Sequence, residues 1–317
     1  AALRLPHITL QQSPNSYLGT TPLRSFNGGP HMKNIPNTRL ARAATLAAVI
    51  AFAGTANAVD VVYGVTQNQT LVTFDANNPG MIDSGVAISG LQSNETIQGI
   101  DFRPATGELF ALGSFSRLYR IDTATGMATQ VGSPFGTTLN GSSFGFDFNP
   151  TIDRIRVVSD ADQNLVLNPD TGGATLVTSL FYPAGDPNFG VDPNVVGSAY
   201  TNSFAGATTT QLYGVDTGLD ILVTQANSAG TLGTVGSLGV DVSDVVGFDI
   251  SGATGIAYLA VRDNNLSRTT FWRVNLNTGA ATSIGEVGGG ALITAMAVTP
   301  APSPVAALAL GGLFSSR

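Results

Sequence analysis

"GIDFRPATGELFALGSFSRLYRIDTATG" (Gly99–Gly126) and "GFDFNPTIDRIRVVSDADQNLVLNPDTG" (Gly145–Gly172) are two copies of one pattern. Each opens on Gly-x-Asp-Phe, passes through two more short apolar runs and ends on a Thr-Gly turn. The opening returns as Gly197-Ser-Ala-Tyr, Gly247-Phe-Asp-Ile and Ala295-Met-Ala-Val, in steps of 46, 52, 50 and 48 residues. A recurrence of about 50 residues with four strand patterns per unit marks propeller blades rather than a helical solenoid. The turns "TATG", "NPDTG" and "NLNTG" place Gly126, Gly172 and Gly279 where a positive φ closes a hairpin at little steric cost.

The body of the chain begins on a second-strand pattern, "VVYGVTQ" from Val61, and closes on an orphan first-strand pattern, "ITAMAVTP" (Ile293–Pro300). Joining the two completes a blade from both ends. The expectation is therefore an all-β, five-bladed β-propeller over residues 59–300, its first blade closed by the C-terminal strand. Closing the ring also removes sheet edges, a hazard of long all-β chains. A pair of β-sandwiches would need no such terminal fit.

The stretches "GIDFRPATGELFALG", "RLYRIDTATG", "FGFDFNPTIDRIRVVSD" and "NSFAGATTTQLYGVD" resemble a family of exported bacterial proteins known only as a domain of unknown function. The resemblance covers roughly Val61 to Pro300. It implies the repeated fold and export, and it carries no activity.

The ends read differently from the body. Residues 1–31 lack a hydrophobic period and read as upstream or fusion-derived sequence. Residues 32–58 read as a secretory signal: a basic start (Lys33, Arg39, Arg42), an apolar run of about a dozen residues, and Ala56 and Ala58 in an A-x-A pattern. That run is shorter than the ~20 residues of a spanning helix, so no stable membrane span is expected after cleavage. The expected location is the periplasm or the extracellular space. Residues 301–317 hold a Pro-Ser-Pro, a short apolar run and Arg317. They resemble the sorting tails of Gram-negative exported proteins, with Ser303 where those tails carry Glu; the alternative is a disordered tail.

Composition excludes several chemistries. From Val59 onward there is no histidine, lysine or cysteine, and nine arginines face all twenty-one carboxylates, a net charge of −12. No Ser-His-Asp triad, Cys nucleophile, Schiff-base lysine or His-ligated zinc can be built from that body. So acidic a surface repels phosphates, and nucleic acid is not an expected partner. A chain without disulfides must also rely on a large core. A metal here would be oxygen-ligated, which points to calcium as the candidate cofactor.

In a propeller the loops entering each first strand share a rim with those joining second to third strands. That rim collects Asn94, Glu95, Asn140, Asp192, Asn194 and Asp244 from the first set. Asp160, Asp162, Asn164, Asp216, Asp220, Asp263 and Asn264 come from the second. The candidate calcium ligands are Glu95, Asn140, Asn194, Asp244, Asp160 and Asp162, with Glu95 or Asp244 as the candidate catalytic base. "DADQN" (Asp160–Asn164) has the D-x-D-x-N start of a calcium loop, but Leu165 and Thr171 stand where its Gly and Glu belong. The long connection "SLFYPAGDPNFGVDPN" (Ser179–Asn194) offers Phe181, Tyr182 and Phe189 as walls of an apolar substrate pocket. Asp101, Asp147 and Asp249 recur at one blade position, so they are expected to bond backbone. Trp272, Tyr119 and Phe110 are expected in the core. Arg103, Arg154 and Arg156 are expected to pair with carboxylates.

Two functions follow as expectations. One is a calcium-dependent hydrolase, foremost a lactonase opening N-acyl homoserine lactones, by analogy with six-bladed propeller lactonases that hold calcium at the channel mouth. The other is a non-catalytic binding or matrix propeller recognising a glycan or protein.

Overall fold

The computed structural model describes residues 59–226, 229–263 and 267–299. The expected signal (32–58), the segment before it, the tail (301–317) and Asn264 lie outside the described residues. The chain opens with β1 (Val61–Thr66), β2 (Thr70–Asp75) and β3 (Ser84–Ala87). Three complete sheets follow: β4 (Ile97–Phe102), β5 (Leu109–Gly113), β6 (Arg117–Ile121), β7 (Ala128–Val131); β8 (Phe144–Asn149), β9 (Arg154–Ser159), β10 (Asn164–Leu167), β11 (Ala174–Leu176); β12 (Val195–Tyr200), β13 (Leu212–Asp216), β14 (Ile221–Gln225), β15 (Leu232–Ser237). The last is β16 (Val246–Ile250), β17 (Ala257–Asp263), β18 (Arg268–Val274) and β19 (Ala281–Glu286), after which β20 (Ile293–Val298) ends the described fold.

Every sheet is a four-stranded antiparallel meander, and there are five of them. Blade one runs β20-β1-β2-β3, so the C-terminal strand supplies its inner strand, with Val62 opposite Val298 and Gly64 opposite Met296. Blades two to five are β4–β7, β8–β11, β12–β15 and β16–β19. Their inner strands pack side by side in a closed ring. At the seam, Asp60 accepts hydroxyl bonds from Ser251 (2.6 Å), Thr254 (2.7 Å) and Tyr258 (2.9 Å), which fastens the start of the described chain to blade five.

Both faces of each sheet are covered by neighbours, so the inner strands are buried without alternation: β8 and β12 are buried at all six positions. The core consists of five clusters, one between each pair of adjacent blades. Val196, Leu222, Phe248 and Leu259 fill the gap between blades four and five, and Val62, Phe74, Tyr258 and Phe271 fill that between five and one. This is where a disulfide-free chain finds its stability.

The repeated glycine of the opening motif serves the close approach of inner strands. A Cβ on Gly99 would meet Phe146 Cβ at 2.5 Å, and one on Gly145 would meet Ser198 Cβ at 2.8 Å. The turn glycines do adopt positive φ, 74° at Gly126, 71° at Gly172 and 82° at Gly279. Tyr119 and Phe110 are buried as expected. Trp272 is not: it is only partly buried, packed on one side against the cluster of blades four and five. Arg103 pairs with Asp153 and with Asp170 (2.8 Å). Arg154 donates to the Asp153 carbonyl (2.8 Å), and among the partners of Arg156 is Asn164 Oδ1 (2.7 Å).

Candidate functional site

An inner strand has one edge paired to the second strand and one edge facing the axis, so its axial N–H groups need acceptors. Three carboxylates supply them. Asp101 accepts from Phe102 N and Phe148 N (both 2.7 Å), Asp147 from Tyr200 N (2.9 Å), and Asp249 from Ile250 N (2.6 Å) and Val298 N (2.5 Å). The five N–H groups hold equivalent places in the five blades. Each Asp reaches into the next blade. Where the preceding blade carries Ala297 or Ala199 instead of Asp, Asp101 and Asp249 also fold back onto the N–H that follows them.

The carboxylates converge, with one oxygen of each within 4.8 Å of the others. Burial first, then the charge of Asp249, holds the Asp101 carboxyl well above the usual carboxylate range. Burial followed by the charges of Asp101 and Asp249 does the same to Asp147, and burial lifts Asp249 to about 6. Asp147 and Asp249 also share a hydrogen bond. With five of six oxygens already accepting backbone N–H groups, the crowding is relieved by retained protons. The triad acts as the hub of the ring.

Beside this hub, among the repeated glycines, the axis narrows to about 20 Å³, too small for anything beyond the scale of water. Ser198 Oγ lines it without a hydrogen-bond partner. At the mouth a cleft of about 250 Å³ opens between Gln67, Gln69, Gln98, Ser143, Thr294 and Asp244. Asp244 Oδ1 accepts from Asn194 Nδ2 (2.9 Å) and Thr217 Oγ1 (2.6 Å), leaving Oδ2 without a hydrogen bond. Asn194 Oδ1 is buried and likewise has no partner.

The structure thus brings two of the expected ligands together, Asn194 and Asp244. Among the described residues, no hydrogen bond links Glu95 or Asn140 to them. The Glu95 side chain is wholly buried, and its oxygens accept from Phe115 N (3.1 Å), Arg117 Nη1 (3.2 Å) and Tyr119 OH (2.5 Å). Burial, then that bond to Glu95, pushes the Tyr119 hydroxyl up to about 12. Asn140 is exposed, its backbone tied to Gln163 Oε1 (2.9 Å) and Ser159 Oγ (2.7 Å).

The three oxygen residues of "DADQN" diverge. Asp160 caps Ser142 through its N–H (2.9 Å) and hydroxyl (2.5 Å), while Asn164 is buried against Arg156. Asp162, at φ 57°, turns toward Asp192, and burial followed by the Asp192 charge raises it to about 6. The aromatic loop divides too. Tyr182 is buried and donates to Asp216 Oδ2 (2.6 Å), whereas Phe181 and Phe189 are 42% and 65% exposed. These three do not share one wall.

The amides lining the mouth escaped the sequence reading. For Gln98 and Thr294 the signal is the residue preceding each repeated glycine or its alanine counterpart, polar in these two of the five blades and apolar in the others; Gln67 and Gln69 lie in the β1–β2 turn. Residues 70–297 match the family described as "Domain of unknown function (DUF4394)". The chain belongs to the DUF4394 family. The match runs from β2 through most of β20, so the DUF4394 domain takes in all of the five-bladed ring but β1 and the last residue of β20. No curated protein matches the chain.

Solved structures that resemble this DUF4394 propeller include hydrazine synthase of Kuenenia stuttgartiensis, at 10% identity and TM-score 0.39 over 63% of this chain and 52% of that one. A Lactobacillus plantarum protein matches at 14% identity and TM-score 0.36 over 75% and 71%. A Bacteroides thetaiotaomicron protein of unknown function matches at 13% and 0.42 over 74% and 61%. The chain spans about half the length of the hydrazine synthase chain.

Proposed function

We propose that the protein is an exported, non-catalytic binding propeller that takes a glycan at the channel mouth. The observation that carries this reading is the chemistry of the mouth cleft: amides and hydroxyls from blades one to three, with one carboxylate, Asp244, holding an oxygen open. Sugar hydroxyls donate and accept at once, and such a lining offers them both kinds of partner. The test is binding to an array of neutral and acidic glycans, followed by calorimetry with Asp244→Asn. That variant keeps the acceptor that holds Asn194 and Thr217 and removes the charge. It should weaken binding by about tenfold, 1.4 kcal/mol, without loss of folding. An array on which no glycan binds rejects the reading.

The Asn194–Asp244 pair favours a second reading, the calcium-dependent lactonase. Its unpartnered oxygens, Asn194 Oδ1 and Asp244 Oδ2, are of the type calcium takes. When bound there, calcium would supply carbonyl polarisation and a more acidic water. With Asn194 Oδ1 on the ion, Asp244 Oδ2 would be left as the base, because the oxygens of Glu95 are held by Tyr119, Arg117 and Phe115. Lactone opening that disappears with EDTA and in Asp244→Ala supports this reading, and no turnover of any lactone in calcium rejects it.

A further inference from the structure

Blade five carries a second cleft, of about 380 Å³, between the loop Val240–Ser243 and strands β17 and β18. Along β18 the residues Arg268, Thr270 and Trp272 alternate, so they share one face of the sheet. Register adds Asp263, opposite Arg268, to that face. Trp272 Nε1 donates to Thr270 Oγ1 (2.9 Å), which fixes the indole plane, and its inner side rests on the apolar cluster between blades four and five. The Trp272 side chain also lines the cleft. Arg268 Nη1 donates to Glu286 Oε2 (3.4 Å), while its Nε is buried 3.6 Å from Asp263 Oδ2, beyond hydrogen-bond distance. Across the cleft stands Asp241, exposed and without a hydrogen bond among the described residues.

We propose that this cleft is a sugar subsite in which Trp272 is the platform for a neutral pyranose ring. The ring's C–H face lies on the indole, and its hydroxyls donate to Asp241 and Asp263 while accepting from Arg268 Nε. The lining sets two aspartates, Asp241 and Asp263, against two arginines, Arg262 and Arg268, so it favours neither a simple anion nor a simple cation. A neutral polyol needs donors and acceptors in one place, and the cleft supplies both next to an apolar surface. The same loop walls both clefts, Ser243 here and Asp244 at the mouth, so a glycan of several sugars would lie across it. The ligand class rests on the glycan reading of the mouth; the site is separate from it.

The chain contains a single tryptophan, so tryptophan emission reports on this cleft alone. The probes are neutral gluco-, galacto- and manno-oligosaccharides, with oligogalacturonate as the charged comparison. A neutral oligosaccharide is expected to change the emission saturably, and oligogalacturonate is not. By calorimetry, Trp272→Phe and Asp241→Asn should each weaken binding of that oligosaccharide by about tenfold. Asp241 is exposed, so its variant keeps the test valid should Trp272→Phe fold poorly.

Binding by calorimetry with unchanged emission and normal affinity in both variants overturns this subsite and leaves the mouth reading standing. An emission change lost in Asp241→Asn but untouched in Asp244→Asn supports the subsite and counts against the mouth. A panel giving neither heat nor emission change overturns both.

Discussion

At the scale of single residues, the three axial aspartates carry the largest consequences. Asp101 satisfies two buried N–H groups, and an unsatisfied buried donor costs about 1–3 kcal/mol. Asp101→Ala should therefore destabilise the protein by about 2–5 kcal/mol in chemical denaturation. Asp147 satisfies only Tyr200 N, and an asparagine oxygen can do that as well. Asp147→Asn should raise the melting temperature near neutral pH, because it removes a carboxylate that its neighbours disfavour; a fall there would contradict the hub.

Glu95 is placed to hold its own blade. The Arg117, Tyr119 and backbone donors around this buried carboxylate make its loss expensive, so Glu95→Ala should cost about 3 kcal/mol in stability. A folded Glu95→Ala variant of unchanged stability would return the residue to the list of open ligands. The recurrence of Asp101, Asp147 and Asp249 was readable in the sequence as a backbone role. Their sharing of five donors was not, because it depends on which blades lack the aspartate. Glu95 was misleading for a similar reason: Tyr119 and Arg117 lie more than twenty residues away, and only the blade's meander folds them back.

Among elements, the inner strands are set by what they exclude. A methyl at Gly99 would press on Phe146 Cβ, and neither strand can retreat without disturbing the ring. Gly99→Ala should cost about 1–3 kcal/mol, the usual penalty of overpacking, measured by equilibrium denaturation. The hairpin turns were legible because Gly126, Gly172 and Gly279 need positive φ. They also abut the preceding blade, since a Cβ on each would meet a carbonyl oxygen there at 2.3 Å.

The loop before β12 was legible in length and location but not in detail. Asp186 within it bonds Thr234 through N–H (2.8 Å) and hydroxyl (2.7 Å), which pins the loop to blade four. Tyr182 turns inward and Phe189 outward as a result of that path. Trp272 was misread as core because an apolar strand position with alternating neighbours looks the same whether its outer side meets protein or a cleft.

For the molecule as a whole, the ring exists only if the last strand returns to the first blade. A chain ending at Leu292 would lose β20, the partner of β1, together with one of the five donors held at the axis. Such a truncation should abolish cooperative unfolding. Five blades and their terminal closure were visible in the spacing of one motif. The mouth was not, because Gln98 and Thr294 sit at positions that are apolar in the other blades and Gln67 and Gln69 come from the β1–β2 turn of a single blade.

The hub also gives the whole protein an unusual pH response. Asp249 moves from an ordinary 3.8 to about 6 on folding, Asp162 moves likewise, and burial followed by neighbouring carboxylate charge raises Asp101 and Asp147 well above 3.8. Groups raised in this way keep a proton in the folded state that the unfolded chain releases. Their contribution is complete below 3.8 and is lost as the pH climbs through the folded values. The direct measurement is the melting temperature of the chain from 59 onward between about pH 4 and about pH 8 at constant ionic strength. A ring held by a protonated carboxylate hub melts in one transition whose midpoint falls across that interval; a midpoint that rises with pH, as for ordinary ion-paired aspartates, would contradict it.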